Sequence, residues 1–253
     1  HIAFNSNRQG YQNIYVMKSD GGNKTNLSGS ADLDLEFDWS HDGSKLVFTR
    51  LIENNYVLLV TTIDGSVRLQ LTSADVNSRY PAWSPNGNQF AYSHRVNGTS
   101  RWQVFLMGAD GSHARPLSDS TDSALFPQWS LDGTRVYYFV QGFGVKVKAI
   151  DGNFSNALPG FYPRSLSWSP DGRWFVEADS LSIVTISADL SSISRLNVRG
   201  FEPRISPDGR WLLFLTSNNA GSNEIHVARI DGSDERAISS TQYGDLSQSW
   251  KPL

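Results

Sequence analysis

The chain has 253 residues, with 22 Lys and Arg against 25 Asp and Glu and no cysteine. That length allows one large domain or two small ones, and a core that needs no disulfide or metal staple. The net charge of −3 leaves no broad basic field for nucleic-acid phosphates, and the missing thiols exclude disulfide scaffolds, thiolate zinc sites, iron–sulfur clusters and cysteine nucleophiles.

In chain order, strands are expected over 1–4 and 13–17, a turn at Asp20-Gly21 and a short strand over 25–28. Asp32, Asp34, Glu36 and Asp38 then alternate with Leu33, Leu35, Phe37 and Trp39. Next comes Trp39-Ser40-His41-Asp42-Gly43, followed by strands over 45–49 and 56–63, a turn at Asp64-Gly65 and a last strand ending near Leu71. The same succession restarts at Trp83-Ser84-Pro85-Asn86-Gly87, with strands over 89–93 and 102–107, a turn at Asp110-Gly111 and an end near Leu117. It restarts at Trp129-Ser130-Leu131-Asp132-Gly133, with strands over 135–139 and 145–150, Asp151-Gly152 and an end near Leu158. From Trp168-Ser169-Pro170-Asp171-Gly172 the strands run over 173–177 and 181–186, the second turn decays to Ala188-Asp189-Leu190, and the unit ends near Leu196. Ile205-Ser206-Pro207-Asp208-Gly209 replaces Trp by Ile, with strands over 210–215 and 224–230, Asp231-Gly232 and an end near Ile238. A sixth copy stops at Trp250-Lys251-Pro252-Leu253, and the strands over 1–4, 13–17 and 25–28 supply what it lacks.

The copies are spaced by 44, 46, 39, 37 and 45 residues. Four short antiparallel strands make a sheet with two apolar faces, which cannot bury itself alone. Stacked radially, each sheet covers its neighbours and only short edges remain. The expectation is all-β: a single six-bladed β-propeller domain over 1–253 with four-stranded blades at about 33–72, 78–118, 124–159, 163–197, 200–239, and 245–253 plus 1–28. The ring closes by pairing the two termini. The Trp position lies on the innermost strand and packs between blades.

Ile2-Ala3-Phe4-Asn5-Ser6-Asn7-Arg8, Ile14-Tyr15-Val16-Met17 and Trp83-Ser84-Pro85-Asn86-Gly87 resemble the TolB-type propeller repeat. The resemblance implies a bacterial envelope setting, periplasmic or extracellular, and a protein or peptide partner. The same repeat occurs in the non-catalytic propellers of prolyl-oligopeptidase-like enzymes.

Chemistry is sought separately, because a fold does not give a function. No G-x-S-x-G, H-E-x-x-H or Walker pattern occurs. The five histidines fall in different repeat slots, so a catalytic or metal pair is not expected. The residues just before each innermost strand rim one mouth of the channel: Asp34, Glu36, Arg79, Tyr80, Phe126, Arg164, Phe201, Glu202, Tyr243 and Asp245. Tyr and Arg are frequent anchors in binding surfaces. Alternation also puts Asp32, Asp34 and Glu36 on one side of an extended chain, a calcium site if that segment curls and otherwise an acidic stretch anchoring the strand. No other cofactor is expected. Arg8 is assigned to tying strand ends together. Trp174 and Trp211, each after an Asp-Gly-Arg turn, are assigned to packing rather than to a sugar platform.

The leading expectation is a monomeric, non-catalytic scaffold or sensor that binds a protein or peptide at the channel mouth, with no nucleic acid and no membrane insertion. Two alternatives stand beside it. One is a carbohydrate-binding or hydrolase/lyase-type propeller using Glu36, Glu202 or Asp245 as acid and base. The other is the gating propeller of a larger peptidase.

Overall fold

A computed structural model of the chain describes residues 1–152, 155–159, 167–178, 182–187, 192–217, 222–239 and 245–251. Its strands, in chain order, begin with β1 (Ile2–Ser6), β2 (Asn13–Met17) and β3 (Thr25–Asn26). They continue with β4 (Leu33–Trp39), β5 (Lys45–Ile52), β6 (Asn55–Thr62), β7 (Arg68–Gln70), β8 (Ser78–Trp83), β9 (Gln89–Arg95), β10 (Trp102–Gly108) and β11 (Arg115–Pro116). Next are β12 (Ala124–Trp129), β13 (Arg135–Val140), β14 (Gly144–Ala149), β15 (Ser155–Pro159), β16 (Ser167–Trp168), β17 (Trp174–Ala178), β18 (Ile183–Ser187) and β19 (Ile193–Arg195). The last are β20 (Phe201–Ile205), β21 (Trp211–Ser217), β22 (Asn223–Arg229), β23 (Arg236–Ala237) and β24 (Asp245–Trp250). They form six four-stranded sheets, five of them from consecutive strands. These are the six blades of a β-propeller.

The sixth sheet has the order β24-β1-β2-β3 and is closed by the two ends of the chain. Ile2 pairs with Trp250 and Ala3 with Ser249, and Lys251 N donates to His1 O at 2.9 Å. Two compact units result. One comprises His1–Ala31 with Arg164–Leu253, the other Asp32–Pro163, and each contains three sheets.

The repeated turn has a simple chemistry. Ser40 Oγ donates to Asp42 Oδ1 at 2.6 Å and accepts from Lys45 N at 2.9 Å. Gly43 N donates to Ser40 O at 2.8 Å, and Gly43 takes φ 62°, where a side chain would be strained. Ser84 with Asn86, Ser130 with Asp132, Ser169 with Asp171 and Ser206 with Asp208 repeat the hydroxyl-to-side-chain bond.

The Trp slot packs one sheet on the preceding one. In unit 32–163, Trp83 joins Val47, Leu58 and Val60, and Trp129 joins Ala82, Ala91, Val104 and Leu106. In the other unit, Trp250 lies against Leu213, Leu215, Ile225 and Val227, while Ile205 fills the slot against Val176 and Ile183. Trp129 Nε1 also donates to Ala82 O at 3.0 Å, so the indole spans the sheets with its polar atom satisfied.

Candidate functional site at the bulged ends of the leading strands

The first strand of a blade has one hydrogen-bonded neighbour, so it tolerates irregularity better than a central strand does. Among the described residues, five of these strands carry a register shift at one place: between Asp34 and Phe37, Arg79 and Ala82, Leu125 and Gln128, Phe201 and Arg204, and Phe4 and Ser6 opposite β24. A bulge re-aims the side chains around it. In three blades the bulge ends in proline, at Pro81, Pro127 and Pro203. The residue before each proline lies in the left-handed region, Tyr80 at φ 56°, Phe126 at 55° and Glu202 at 52°. A bulky residue there costs ~1–2 kcal/mol. Proline supplies no N–H to the ladder, and so it fits the bulge.

The described rim residues therefore lie inside the strands and not before them, and the structure uses them in different ways. In unit 32–163, Glu36 from β4 accepts from both Arg79 Nη2 and Arg79 Nε of β8, the second at 3.4 Å. The Arg79 guanidinium lies 4.3 Å from the Tyr56 ring centroid and 4.7 Å from that of Tyr80. Burial works against its charge, but the Glu36 carboxylate outweighs this and holds the pKa above its ordinary value. The Tyr80 ring meets Phe126 of the next blade at 4.3 Å, tilted by 58°, and Phe126 lies 6.4 Å from Phe139. Glu36, Arg79, Tyr80 and Phe126 thus form one continuous row across three blades, each partly exposed.

Asp34 does not belong to that exposed row. It is fully buried and accepts from Arg50 Nε at 2.7 Å and Nη2 at 2.9 Å, a bidentate pair. Asp32 approaches Arg50 at 3.8 Å from an exposed position. Asp38 accepts from Trp83 N at 2.7 Å. The bulge breaks the alternation that would have aligned these acids, so Asp34, Glu36 and Asp38 each serve a different partner. Among the described residues no group of three or more His, Cys, Asp or Glu is placed to hold a metal ion.

In the other unit, Asp245 is likewise fully buried, with Arg8 Nη2 at 3.1 Å. Arg8 also donates to Ser6 Oγ at 3.1 Å and stacks on Phe4 and Tyr15 at 4.6 and 4.8 Å, tying the strand ends together. Burial pushes the Asp245 carboxyl above its ordinary value, against Ser239, Ser6 and Arg8, which favour the charge. Phe201 packs on the cluster of Ile2 and Phe4. Glu202 is partly exposed, and its carbonyl accepts from Gln248 Nε2 at 2.6 Å. Arg164 and Tyr243 lie outside the described residues.

Sequence reasoning missed Tyr56, Arg50 and the Glu36–Arg79 pairing. A signal for the pairing existed. The cross-blade bonds join residues about one repeat apart: Glu36 to Arg79, Asp38 to Trp83, Ala82 to Trp129, Glu202 to Gln248 and Arg204 to Trp250. Nothing comparable flags Tyr56, which reaches Arg79 from beside the turn of the β5–β6 hairpin.

A family model described as the TolB beta propeller domain matches residues 1–131, more than half of the chain. The chain belongs to the TolB β-propeller family. Among curated relatives, this TolB-family chain is 29% identical over 144 residues to a protein TolB homolog of Chlorobium luteolum, covering 57% of the chain and 32% of that protein. It is 27% identical over 165 residues to the uncharacterized peptidase YuxL of Bacillus subtilis, covering 64% of the chain and 25% of that protein. It therefore spans about a third of one relative and a quarter of the other. The crystal structure of TolB from Acinetobacter baumannii superposes with TM-score 0.83 at 16% identity, over 100% of this chain and 66% of that one. A likeness at that identity shows the fold alone.

Proposed function

We propose that this TolB-family propeller is a non-catalytic interaction module of the bacterial envelope that takes a protein or peptide partner on the bulged ends of its leading strands. The observation that carries the reading is the row Glu36–Arg79–Tyr80–Phe126. Its backbone is held in a costly conformation at Tyr80 and Phe126, and strain of this kind collects at ligand clamps and switch regions. Arg79 is pre-organised by two tyrosine rings and one carboxylate, and half-buried Arg and Tyr are the residue types that dominate interface energetics. Glu202 extends the surface within its own unit. Asp34 and Asp245 serve as internal supports of the strands that present it.

The test is crosslinked capture from the envelope and soluble fractions of the source cell, read by mass spectrometry. Wild type, Arg79→Glu and Tyr80→Ala would be compared, with thermal melts as the folding control. A protein retained by wild type and lost from both variants, at little changed melting temperature, is the expected result. The same captured set on all three baits would sink the assignment.

A second reading, the propeller of a larger peptidase, is favoured by the match to YuxL over 64% of this chain. Hydrolase activity of the natural full-length protein that resists Arg79→Glu would select it.

A further inference from the structure

At the other end of the strands, where the Ser-x-Asp-Gly turns lie, the unit of 1–31 and 164–253 contains a cleft of about 410 Å³ between the β20–β23 sheet and the terminal sheet. It is within the ~300–1,000 Å³ range of small-molecule clefts. Two half-buried indoles line it, Trp211 at the start of β21 and Trp250 at the end of β24. Both are held in place. Trp250 Nε1 donates to Arg204 O at 3.3 Å. Trp211 lies 4.9 Å from the guanidinium of Arg229, which is itself paired with Asp234.

The polar lining mixes both signs. Arg236, on β23, stands 5.2 Å from the Trp211 ring, and Lys251, just after β24, also lines the cleft. Among the described residues neither forms an ion pair. Also in the lining are Asp208, bound into its turn by Ser206 Oγ and Arg210 N, and Asp20, which accepts from Gly22 N at 2.8 Å. His1 adds an imidazole to the lining, and the side-chain charges of Arg236 and Lys251 are matched by those of Asp20 and Asp208, so these side chains give no strong net sign to attract a phosphate or a polyanion. They offer donors and acceptors to a neutral ligand that has many hydroxyl groups and an apolar face for an indole.

The sequence assigns Trp211 and Trp174 to packing because they hold equivalent places in two blades. The structure makes the equivalence informative in another way. Trp174 lines its own cleft of about 420 Å³ with Arg173, Thr185, Ser187 and Ser192. The indole after the Asp-Gly-Arg turn is therefore open to a cleft in both blades.

We infer that the Trp211–Trp250 cleft is a saccharide-binding site for a neutral pyranose segment, with the indoles as its apolar wall and Arg236, Lys251 and Asp20 as its hydroxyl partners. The site is separate from the bulged strand ends and does not rest on the reading given for them.

The experiment uses protein labelled with 5-fluorotryptophan. The fluorine resonances of Trp211 and Trp250 are assigned by Trp→Phe variants, and the probes are cellobiose and chitobiose titrated through the millimolar range. The expected result is a saturable shift of both resonances with at least one disaccharide, weakened about tenfold by Arg236→Gln at unchanged melting temperature. Three outcomes overturn the inference: no shift with either sugar, a shift that Arg236→Gln leaves intact, or an equal shift with tetraglycine. Because Trp211→Ala could disturb folding, the decision rests on Arg236→Gln, whose side chain is at the surface.

Discussion

The two units use the bulged ends of their leading strands for different purposes. In unit 32–163, the bulges at Tyr80 and Phe126 carry their rings into contact and Glu36 reaches Arg79 across the blades, so a continuous row forms. In the other unit the corresponding strands give a packed Phe201 and a Glu202 whose backbone is bound by Gln248, while Asp245 is withdrawn from solvent just as Asp34 is. The slot five residues before the Trp position shows how neighbours select a side chain. It holds Asp34 opposite Arg50, Ser78 opposite His94, Ala124 opposite Val140, and Asp245 opposite Ser6. Gly200 occupies it in β20's blade, where an added Cβ would stand 2.5 Å from Phe214 Cδ2 and 2.6 Å from Leu215 O. A repeat conserves the backbone path, and each cross-strand neighbour then decides which side chain the slot accepts.

The largest test of this comparison is Asp34→Asn. It removes the buried bidentate partner of Arg50 and leaves it the exposed Asp32 at 3.8 Å, and a loss of ~3–5 kcal/mol in urea denaturation is expected. Asp245→Asn should cost much less at neutral pH, because burial already disfavours that charge. Equal costs would show that the two acids do the same work and break the comparison. Gly200→Ala should lose about 3 kcal/mol, since backbone as well as a ring must move to admit the methyl group. An unchanged melt would mean that the blade relaxes there freely.

Acid titration sharpens the contrast, because the signs differ. Asp245 has a raised folded value, so its contribution is fully present below the ordinary 3.8 and is lost as pH rises through the folded value. Wild type should therefore gain on Asp245→Asn as pH is lowered. Asp42 is held at about 2, first by the Ser40 hydroxyl and then by Ser44, so its contribution is present above 3.8 and is lost as pH falls through about 2. The differences in urea midpoint between wild type and each variant, between about pH 2 and pH 7, should show opposite slopes, and parallel slopes would refute the assignment.

Smaller effects should follow from Glu202→Asn, which keeps a polar group and suits φ 52° better. A gain of up to ~1 kcal/mol is expected, and a loss of that size would mean that the Glu202 side chain supports the fold. Least of all should be Asp42→Asn at neutral pH, within ~0.5 kcal/mol, because Asn86 already makes the same bonds with Ser84 and Asn88. A larger loss would mean that the charge itself, and not the acceptor, holds the turn.

Much of this architecture was legible in the chain alone. The Ser-x-Asp-Gly turns, the alternation after them and the incomplete sixth copy located the strands, and the pairing of Ile2 with Trp250 closes the terminal sheet as expected. The third strand of that sheet falls on Asn13–Met17, as read from the sequence. The site was legible as a set of positions and not as an arrangement. Strict alternation placed Asp32, Asp34 and Glu36 together, whereas one extra residue at the bulge sends Asp34 to Arg50 and Glu36 to Arg79.

What the sequence by itself determined is the repeat: its turns, its apolar strands and the Trp slot. These follow from local φ preferences and a period of two, which act within a few residues. Only tertiary structure decided which rim acids are buried, which side chains meet across blades, and that Trp211 opens onto a cleft. Those outcomes depend on residues roughly one repeat apart in sequence and on single-residue slips of register, and no local pattern along the chain records either.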